Sequence, residues 1–182
     1  LGFDIAREAL KAGDDKLRVG IIGLGTGSLT CYVQPGESMT LYEIDPVVDK
    51  IARDPAHFSY MSRCAADTKT IIGDARITLA KSPDAAFNYL VVDAFSSDSI
   101  PVHLMTKEAL QLFLSKIPED GLIAFHISNR YLELESVVAA TAAAVPGVFV
   151  APVFDAEGLP GLDGNPSHVV FIAKDKAVID RV

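Results

Sequence analysis

Residues 17–45 constrain the fold more than any other part of the chain. They read as a strand, a glycine turn, a helix, a second strand and a terminal acid. The short β-branched run 19–22 is typical of a strand that is buried on both faces of a parallel sheet. It leads directly into the turn GLGTG at 23–27. Glycines allow close approach of the backbone to a bound molecule, and the helix beginning near Ser28 directs unpaired N–H groups to the same place. The pattern predicts the floor of a ligand site.

The second strand of this stretch, 39–43, delivers the carboxylate of Glu43 to the same edge. A carboxylate there can accept hydrogen bonds from both hydroxyls of a ribose, so we expect a nucleoside-containing ligand. The dinucleotide fingerprint has its third glycine one position later, where Ser28 stands, so the spacing favours an S-adenosylmethionine type of floor. A turn used only for tight strand-to-helix packing is the alternative. The candidate floor residues are Gly23, Gly25, Thr26, Gly27, Glu43 and Ile44.

Length and composition predict one domain over 1–182, with residues 1–16 as a covering helix. A chain of 182 residues that is 49% hydrophobic can bury a sizeable core. Its net charge of −8 argues against a nucleic-acid partner, which would require clustered Lys and Arg. No apolar run approaches the ~20 residues of a membrane span and no signal peptide opens the chain, so we expect a soluble, cytoplasmic protein. The start at Leu1 is compatible with a domain excised from a longer protein.

The two cysteines, Cys31 and Cys64, belong to no C-x-x-C pair. The simplest interpretation is that both are buried free thiols in a reducing compartment, and a disulfide between them is the less favoured alternative. We expect no bound metal.

Strand and helix patterns alternate along the chain and predict a doubly wound, mostly parallel α/β sheet of about seven strands, of the methyltransferase-like Rossmann type. The last two strands lack an intervening helix, so we expect them to form an antiparallel hairpin at one edge. Residues 54–67 are predicted to be a loop with at most one helical turn. The predicted strands are 19–22, 39–43, 70–74, 87–93, 121–127, 148–154 and 169–173, and the predicted helices are 3–12, 28–34, 46–53, 75–81, 104–115 and 132–144.

Further acids follow the strands that come next. Ligands of such sheets bind outside the carboxyl ends of the strands. Asp74 directly precedes a helix, so it is a candidate helix cap. Its carboxylate could also take the exocyclic amine of an adenine while the N–H of Ala75 serves the ring, and both roles can hold at once.

Asp93 is the best candidate for chemistry. It ends a strand at the centre of the sheet, and the small residues after it leave room for a substrate. With Asp98 it would form a carboxylate pair able to hold an amine and remove its proton. Two solvated acids in a capped loop are the alternative.

The polar residues after the fourth and fifth strands give a weaker indication of a functional role. His103 and Lys107 are predicted on the exposed face of the next helix. The residues that follow the fifth strand could line a pocket, or they could form a loop whose polar groups are all hydrogen-bonded to one another. They are His126, Ser128, Asn129 and Arg130.

Five segments together resemble the nucleoside-binding core of the spermidine synthase-like proteins, the polyamine aminopropyltransferases, including a bacterial branch sometimes fused to transporter-like membrane segments. They are GLGTGS, YEIDP, IIGDAR, VVDAFSSDSIPVHLMTKEAL and AFHISNRYLELE. The likeness covers 17–174, because residues 165–167 resemble the closing motif of the family.

The resemblance implies that Glu43 binds the ribose, Asp74 the adenine, and that Asp93 takes the proton from an attacking amine, with Asp98 as a second acid. The implied co-substrate is decarboxylated S-adenosylmethionine or S-adenosylmethionine, the acceptor is a small amine, and a homodimer is an open alternative. Thr26 stands where polyamine-forming members carry an Asp, and the N-terminal β-rich domain of the family has no counterpart before residue 17. Methyl transfer and a non-catalytic nucleoside-binding module therefore remain alternatives.

Overall fold

The computed structural model describes residues 2–10, 16–94, 101–128, 132–155 and 166–182. Within them, seven strands form one sheet in the order β3-β2-β1-β4-β5-β7-β6. Strands β1 to β5 are parallel to one another, and β7 is antiparallel to both β5 and β6. The predicted α/β class and the antiparallel edge are confirmed. The strands are β1 Arg18–Ile22, β2 Ser38–Glu43, β3 Thr70–Ile72, β4 Tyr89–Val92, β5 Leu122–His126, β6 Phe149–Asp155 and β7 Ser167–Ala173.

The helices connect the strands across both faces of the sheet. Several begin at an Asp or Thr whose side chain accepts a hydrogen bond from a first-turn N–H, as in Asp45 with the N–H of Val47 at 2.8 Å. No helix in the described part of the chain has the length and apolar character needed to cross a membrane. The α-helices are α1 Gly2–Ala9, α2 Pro46–Arg53, α3 Tyr60–Cys64, α4 Ala75–Ala80, α5 Lys107–Ser115, α6 Glu135–Ala143 and α7 Lys176–Ile179.

Two 3₁₀-helices complete the described elements, Ser28–Tyr32 and Val102–Leu104. The first replaces the helix predicted over 28–34, and it ends before the turn that contains Gly36. The helix predicted from residue 104 begins only at Lys107, because Thr106 caps α5 by accepting a hydrogen bond from the N–H of Ala109. The second 3₁₀-helix therefore belongs to the connection between β4 and α5.

The hydrophobic core lies on both faces of the sheet, because successive strand side chains point to opposite faces. In β4, Leu90 packs on one face in the same cluster as Phe113 of α5. Tyr89 packs on the other face, where its ring meets Phe3 of α1 edge-on at a centroid distance of 5.3 Å. Burial of β4 on both faces fixes the position of the residue that follows it, Asp93.

The edge strand β6 pairs with β7 along its whole length, from Phe149 opposite Ala173 to Asp155 opposite Ser167. Pro152 lies in the middle of β6 and is exposed. A proline has no N–H for a ladder, so it is tolerated in a sheet essentially at an edge or a bulge. The position of Pro152 therefore agrees with β6 being the last described strand on this side.

The cysteine prediction is wrong. Cys31 of the first 3₁₀-helix and Cys64 of α3 form a disulfide with their Cα atoms 5.0 Å apart, and both residues are exposed. They are separated by 33 positions in the sequence and meet because α3 packs against the 3₁₀-helix. The same contact brings Met61 so close to Gly27 that a Cβ there would lie 2.7 Å from the Met61 Cγ. The disulfide removes the basis for inferring a reducing compartment from these cysteines.

Candidate functional site

A cleft of about 330 Å³ opens at the carboxyl ends of β1, β2 and β4. Small-molecule sites occupy roughly 300–1,000 Å³, so the cleft can hold a ligand of nucleoside size. The parallel arrangement of these strands explains the position, since it brings the residues after each strand to one edge. The predicted site residues that line the cleft are Gly23, Gly25, Glu43, Ile44, Ala75 and Asp93.

Gly23 is required by close packing of the two central strands. Its φ is +95°, and a Cβ at this position would lie 2.3 Å from the carbonyl oxygen of Asp93. The N–H of Asp93 donates to the carbonyl of Ile22 at 2.8 Å, which holds the end of β4 against the glycine turn. At Gly25, by contrast, an added Cβ would meet nothing within 4 Å, so the backbone there borders open space in the cleft. Thr26 and Gly27 complete the turn without lining the cleft.

Glu43 joins the end of β2 to the glycine turn. Its Oε2 accepts a hydrogen bond from the N–H of Leu24 at 2.9 Å, and its Oε1 accepts one from the N–H of Asp45 at 3.0 Å. The residue is 8% exposed. An ionised carboxylate has about four acceptor positions, so both oxygens can accept a further hydrogen bond. The geometry thus leaves Glu43 able to receive hydroxyl groups of a ligand while it holds the turn.

Asp74 caps α4, which confirms the first of the two roles predicted for it. Its Oδ1 accepts a hydrogen bond from the N–H of Arg76 at 2.8 Å. Its Oδ2 lies 3.6 Å from Nε2 of His103. His103 was predicted on the exposed face of the following helix. It is exposed as predicted, but it lies in the 3₁₀-helix before α5 and not in that helix. The imidazole lines the cleft from the short 3₁₀-helix that begins after Pro101. Lys107 is exposed in the first turn of α5.

Asp93 contacts a histidine that follows the neighbouring strand. Its Oδ1 lies 2.6 Å from Nδ1 of His126, and Nε2 of the same ring lies 2.8 Å from Oγ of Ser128. The backbone N–H of His168 in β7 donates to that hydroxyl oxygen at 2.8 Å. The side chains of Asp93 and His126 are 26% and 34% exposed. The structure thus brings His126 and Ser128 to Asp93, whereas Asp98, Asn129 and Arg130 lie outside the described residues.

Sequence reasoning placed His126 at the correct edge and missed its partner. The missing information is strand order: Val92 of β4 pairs with Phe125 of β5. In parallel neighbours the residues that follow such a pair are also adjacent, so Asp93 and His126 must meet. Knowing that these two strands are neighbours, and in this register, would have been sufficient to predict the contact.

Two carboxylates, Glu43 and Asp93, line the described part of the cleft. Asp74 does not line it, but its Oδ2 lies 3.6 Å from His103, which does, so an acidic rim is formed with Asp74 beside the cleft. His126 faces Asp93. Such a rim attracts a cationic ligand. Among the residues that the structure describes, no group of three or more His, Cys, Asp or Glu side chains is arranged to hold a metal ion.

No family model matches the chain. Over 122 residues it is 32% identical to the polyamine aminopropyltransferase of Vibrio vulnificus (strain CMCP6), a match that covers 63% of this chain and 40% of that protein. The spermidine synthase of Thermotoga maritima superposes with a TM-score of 0.70 at 16% identity, covering 98% of this chain and 60% of that one. The chain is similar to a polyamine aminopropyltransferase in sequence and to spermidine synthases in fold.

The chain also resembles methyltransferases. Over 114 residues it is 33% identical to the N-terminal histidine N-methyltransferase of Emericella nidulans. This match covers 60% of this chain and 19% of that protein. Human methyltransferase-like protein 13, solved in complex with SAH, superposes with a TM-score of 0.66 at 21% identity, covering 99% of this chain and 85% of that one. The structural likeness confirms the methyltransferase-like fold. The chain spans less than half the length of these two curated relatives.

Proposed function

We propose that this chain is a transferase that moves an aminopropyl group from decarboxylated S-adenosylmethionine to a small amine. The observation that carries the proposal is the convergence of Glu43 and Asp93 on one cleft of about 330 Å³. Both the sulfonium nucleoside and the amine are cationic, and the carboxylates attract both. Similarity to the Vibrio vulnificus polyamine aminopropyltransferase supports the choice of transferred group.

The proposed nucleoside site uses the glycine turn and the acids after β2 and β3. Glu43 accepts the ribose hydroxyls with the acceptor positions that Leu24 and Asp45 leave open. Asp74 takes the exocyclic amine of the adenine with its Oδ2, and the N–H of Ala75 serves the ring. Ile44, which is 63% exposed, provides an apolar surface for the base.

The glycine turn supplies room for the sulfonium side of the nucleoside. The open space at Gly25 accommodates the ligand beside the turn, and the close packing at Gly23 keeps that turn against Asp93. Gly27 holds the shape of the turn, since its N–H donates to the Leu24 carbonyl at 2.9 Å and its carbonyl accepts from the Thr30 hydroxyl at 2.6 Å. Thr26 belongs to the same turn.

Asp93 would act on the acceptor. The amine nitrogen attacks the carbon next to the positive sulfur, a C–N bond forms, and the C–S bond breaks with its electron pair left on a neutral thioether. The proton from nitrogen goes to Asp93. A free alkylamine has a pKa near ~10.4, so at neutral pH few molecules are ready to attack unless a base helps. Asp98, outside the described residues, is proposed as the second acid that holds the amine.

The test combines two nucleosides with one substitution. We expect mass spectrometry to detect aminopropylated product when decarboxylated S-adenosylmethionine is incubated with a panel of diamines. Asp93→Asn should bind methylthioadenosine with unchanged affinity by calorimetry and lose turnover, and the exposed Asp67→Asn serves as the matched control. Wild-type turnover in Asp93→Asn would refute the role of Asp93. Tight nucleoside binding without turnover on any amine would instead favour a non-catalytic module.

Methyl transfer from S-adenosylmethionine is the second candidate, and Thr26 favours it. By the resemblance, polyamine-forming members carry an Asp there, whose charge would repel the carboxylate of S-adenosylmethionine. A threonine does not repel it. Product formed from S-adenosylmethionine and not from its decarboxylated form would select this alternative. A place in polyamine biosynthesis, a cytoplasmic location and a homodimer remain predictions under the first proposal.

A further inference from the structure

Three residues form a hydrogen-bonded line that leads away from the cleft, and we call it the Asp93–His126–Ser128 line. Asp93 lines the cleft, whereas His126 and Ser128 are not among the residues that line it. Two contacts of the imidazole nitrogens measure 2.6 Å to Asp93 and 2.8 Å to Ser128. Both ring nitrogens therefore have polar partners, and the ring is fixed in its plane.

The proton of a neutral imidazole can be assigned from its two partners, and the carboxylate of Asp93 decides the assignment. The N–H of His168 donates to Oγ of Ser128, so that oxygen already accepts one hydrogen bond. Its own O–H can then donate to Nε2 of His126. With Nε2 accepting, the proton of a neutral imidazole is on Nδ1 and is donated to Oδ1 of Asp93. In the opposite tautomer, an unprotonated Nδ1 would lie 2.6 Å from a carboxylate oxygen. Both atoms would then be acceptors, and no proton would lie between them.

We propose that His126 is a positioning residue for Asp93, and this inference rests on the proposed function. Its Nδ1–H holds Oδ1 of the carboxylate and leaves Oδ2 to accept the proton of the attacking amine. Ser128 keeps the imidazole in the required tautomer. The transfer becomes faster because the base is held in one orientation before the amine arrives. Orientation of the reacting groups is a large part of what a site supplies in such a reaction.

The backbone of three strands holds this arrangement. Asp93 follows β4, His126 ends β5, and the anchoring N–H belongs to His168 of β7. The side chain of His168 is engaged elsewhere, because its Nε2 lies 3.0 Å from Glu135. The line therefore ends on a main-chain donor that no change of side-chain protonation removes.

The same residue types in the same order of contacts occur in serine hydrolases, where the serine is the nucleophile. Here Ser128 lies outside the cleft lining, and its oxygen is tied to β7 by the His168 N–H. These two observations favour the positioning role. Covalent labelling of Ser128 by a fluorophosphonate would overturn it.

The first test reads the tautomer without measuring activity. Imidazole ¹⁵N spectra of the full chain should show His126 protonated on Nδ1 and bare on Nε2. Ser128→Ala should shift the ring toward a mixture of tautomers, whereas Glu135→Gln, which removes a negative charge beside the His168 side chain, should leave it unchanged. A His126 protonated on Nε2 in the wild type would overturn the proposal, whatever the reaction of the protein proves to be.

The second test measures turnover of the amine. An alanine at 126 should lower kcat by about 100-fold, the cost of a misplaced reacting group, with KM for the nucleoside unchanged. His126→Asn places an amide N–H near the position of Nδ1 and should restore most of kcat, whereas His126→Gln should not. His57→Ala, at an exposed histidine paired with Asp54, is the control. Equal kcat in His126→Ala and wild type, or no recovery in His126→Asn, would overturn the proposal. Failure of the wild type on every amine would refute the proposed function and leave the tautomer test decisive for His126.

Discussion

Replacing Glu43 by glutamine should separate the structural task of this side chain from its task in binding. The two carboxylate oxygens accept hydrogen bonds from the N–H groups of Leu24 and Asp45 at 2.9 and 3.0 Å. Glutamine keeps the shape of glutamate and has one acceptor oxygen. Its NH₂ group would face the second N–H, so one backbone donor next to the glycine turn loses its partner.

The expected loss in the free energy of unfolding follows from these two hydrogen bonds. A hydrogen bond to a charged group contributes about 1.5–3 kcal/mol, and a buried donor left without a partner costs about 1–3 kcal/mol. We expect the free energy of unfolding to fall by about 3 kcal/mol. For a chain of this size, each kcal/mol lowers Tm by roughly 2–4 °C, so the expected decrease is about 6–12 °C. Loss of a charged acceptor for ribose should also weaken nucleoside binding by about 10- to 100-fold.

Differential scanning calorimetry measures the first effect, and titration calorimetry with methylthioadenosine below the Tm of the variant measures the second. Glu119→Gln is the matched control, because the Glu119 side chain is 80% exposed and its ion pair with Lys174 is long, at 3.6 Å. We expect no change in either quantity for the control.

An unchanged Tm in Glu43→Gln would refute the inference that the carboxylate holds the glycine turn through both oxygens. A large decrease in Tm with unchanged affinity would confine Glu43 to the structural task and remove it from the ribose site.

Two other features give measurable expectations. Reduction of the Cys31–Cys64 disulfide, which closes a separation of 33 residues, should lower the free energy of unfolding by about 3 kcal/mol in denaturant titrations, and the double variant Cys31→Ser/Cys64→Ser should be insensitive to reductant. A wild type equally stable with and without reductant would contradict this. Burial raises the pKa of the Tyr89 hydroxyl, so the unfolded chain loses this proton first as pH rises. Stability present below pH ~10 should therefore decrease above it by up to about 1.4 kcal/mol per pH unit, and Tyr89→Phe should flatten that decrease in unfolding curves taken at pH 9 to about 11. An identical pH slope in the variant would count against it.

The order of strands and helices was predictable because each buried strand carries its own signal. The β-branched and apolar run before Gly23 and the run before Asp93 could be read as strands without any tertiary information, and both are strands in the structure. The final hairpin followed from the absence of a helix between two apolar segments. Local patterns therefore predict which segments are strands and which acids follow them.

What could not be predicted depends on contacts between segments distant in the sequence. The pairing of Cys31 with Cys64 requires α3 to pack on the 3₁₀-helix, and no spacing of two cysteines reveals that packing. His103 was assigned to the wrong element because the cap at Thr106 starts α5 later than the apolar pattern indicates. The contact of His126 with Asp93 depends on β4 and β5 being neighbours in the sheet.

Pro152 has a consequence for how copies of this protein could associate. Two molecules that join through their outermost strands need a continuous row of main-chain donors, and a proline in the middle of β6 breaks that row. At the opposite margin β3 is only three residues long and gives an incoming strand little length to match. Among the described elements, helix and loop surfaces are therefore better suited to an association between copies than the margins of the sheet.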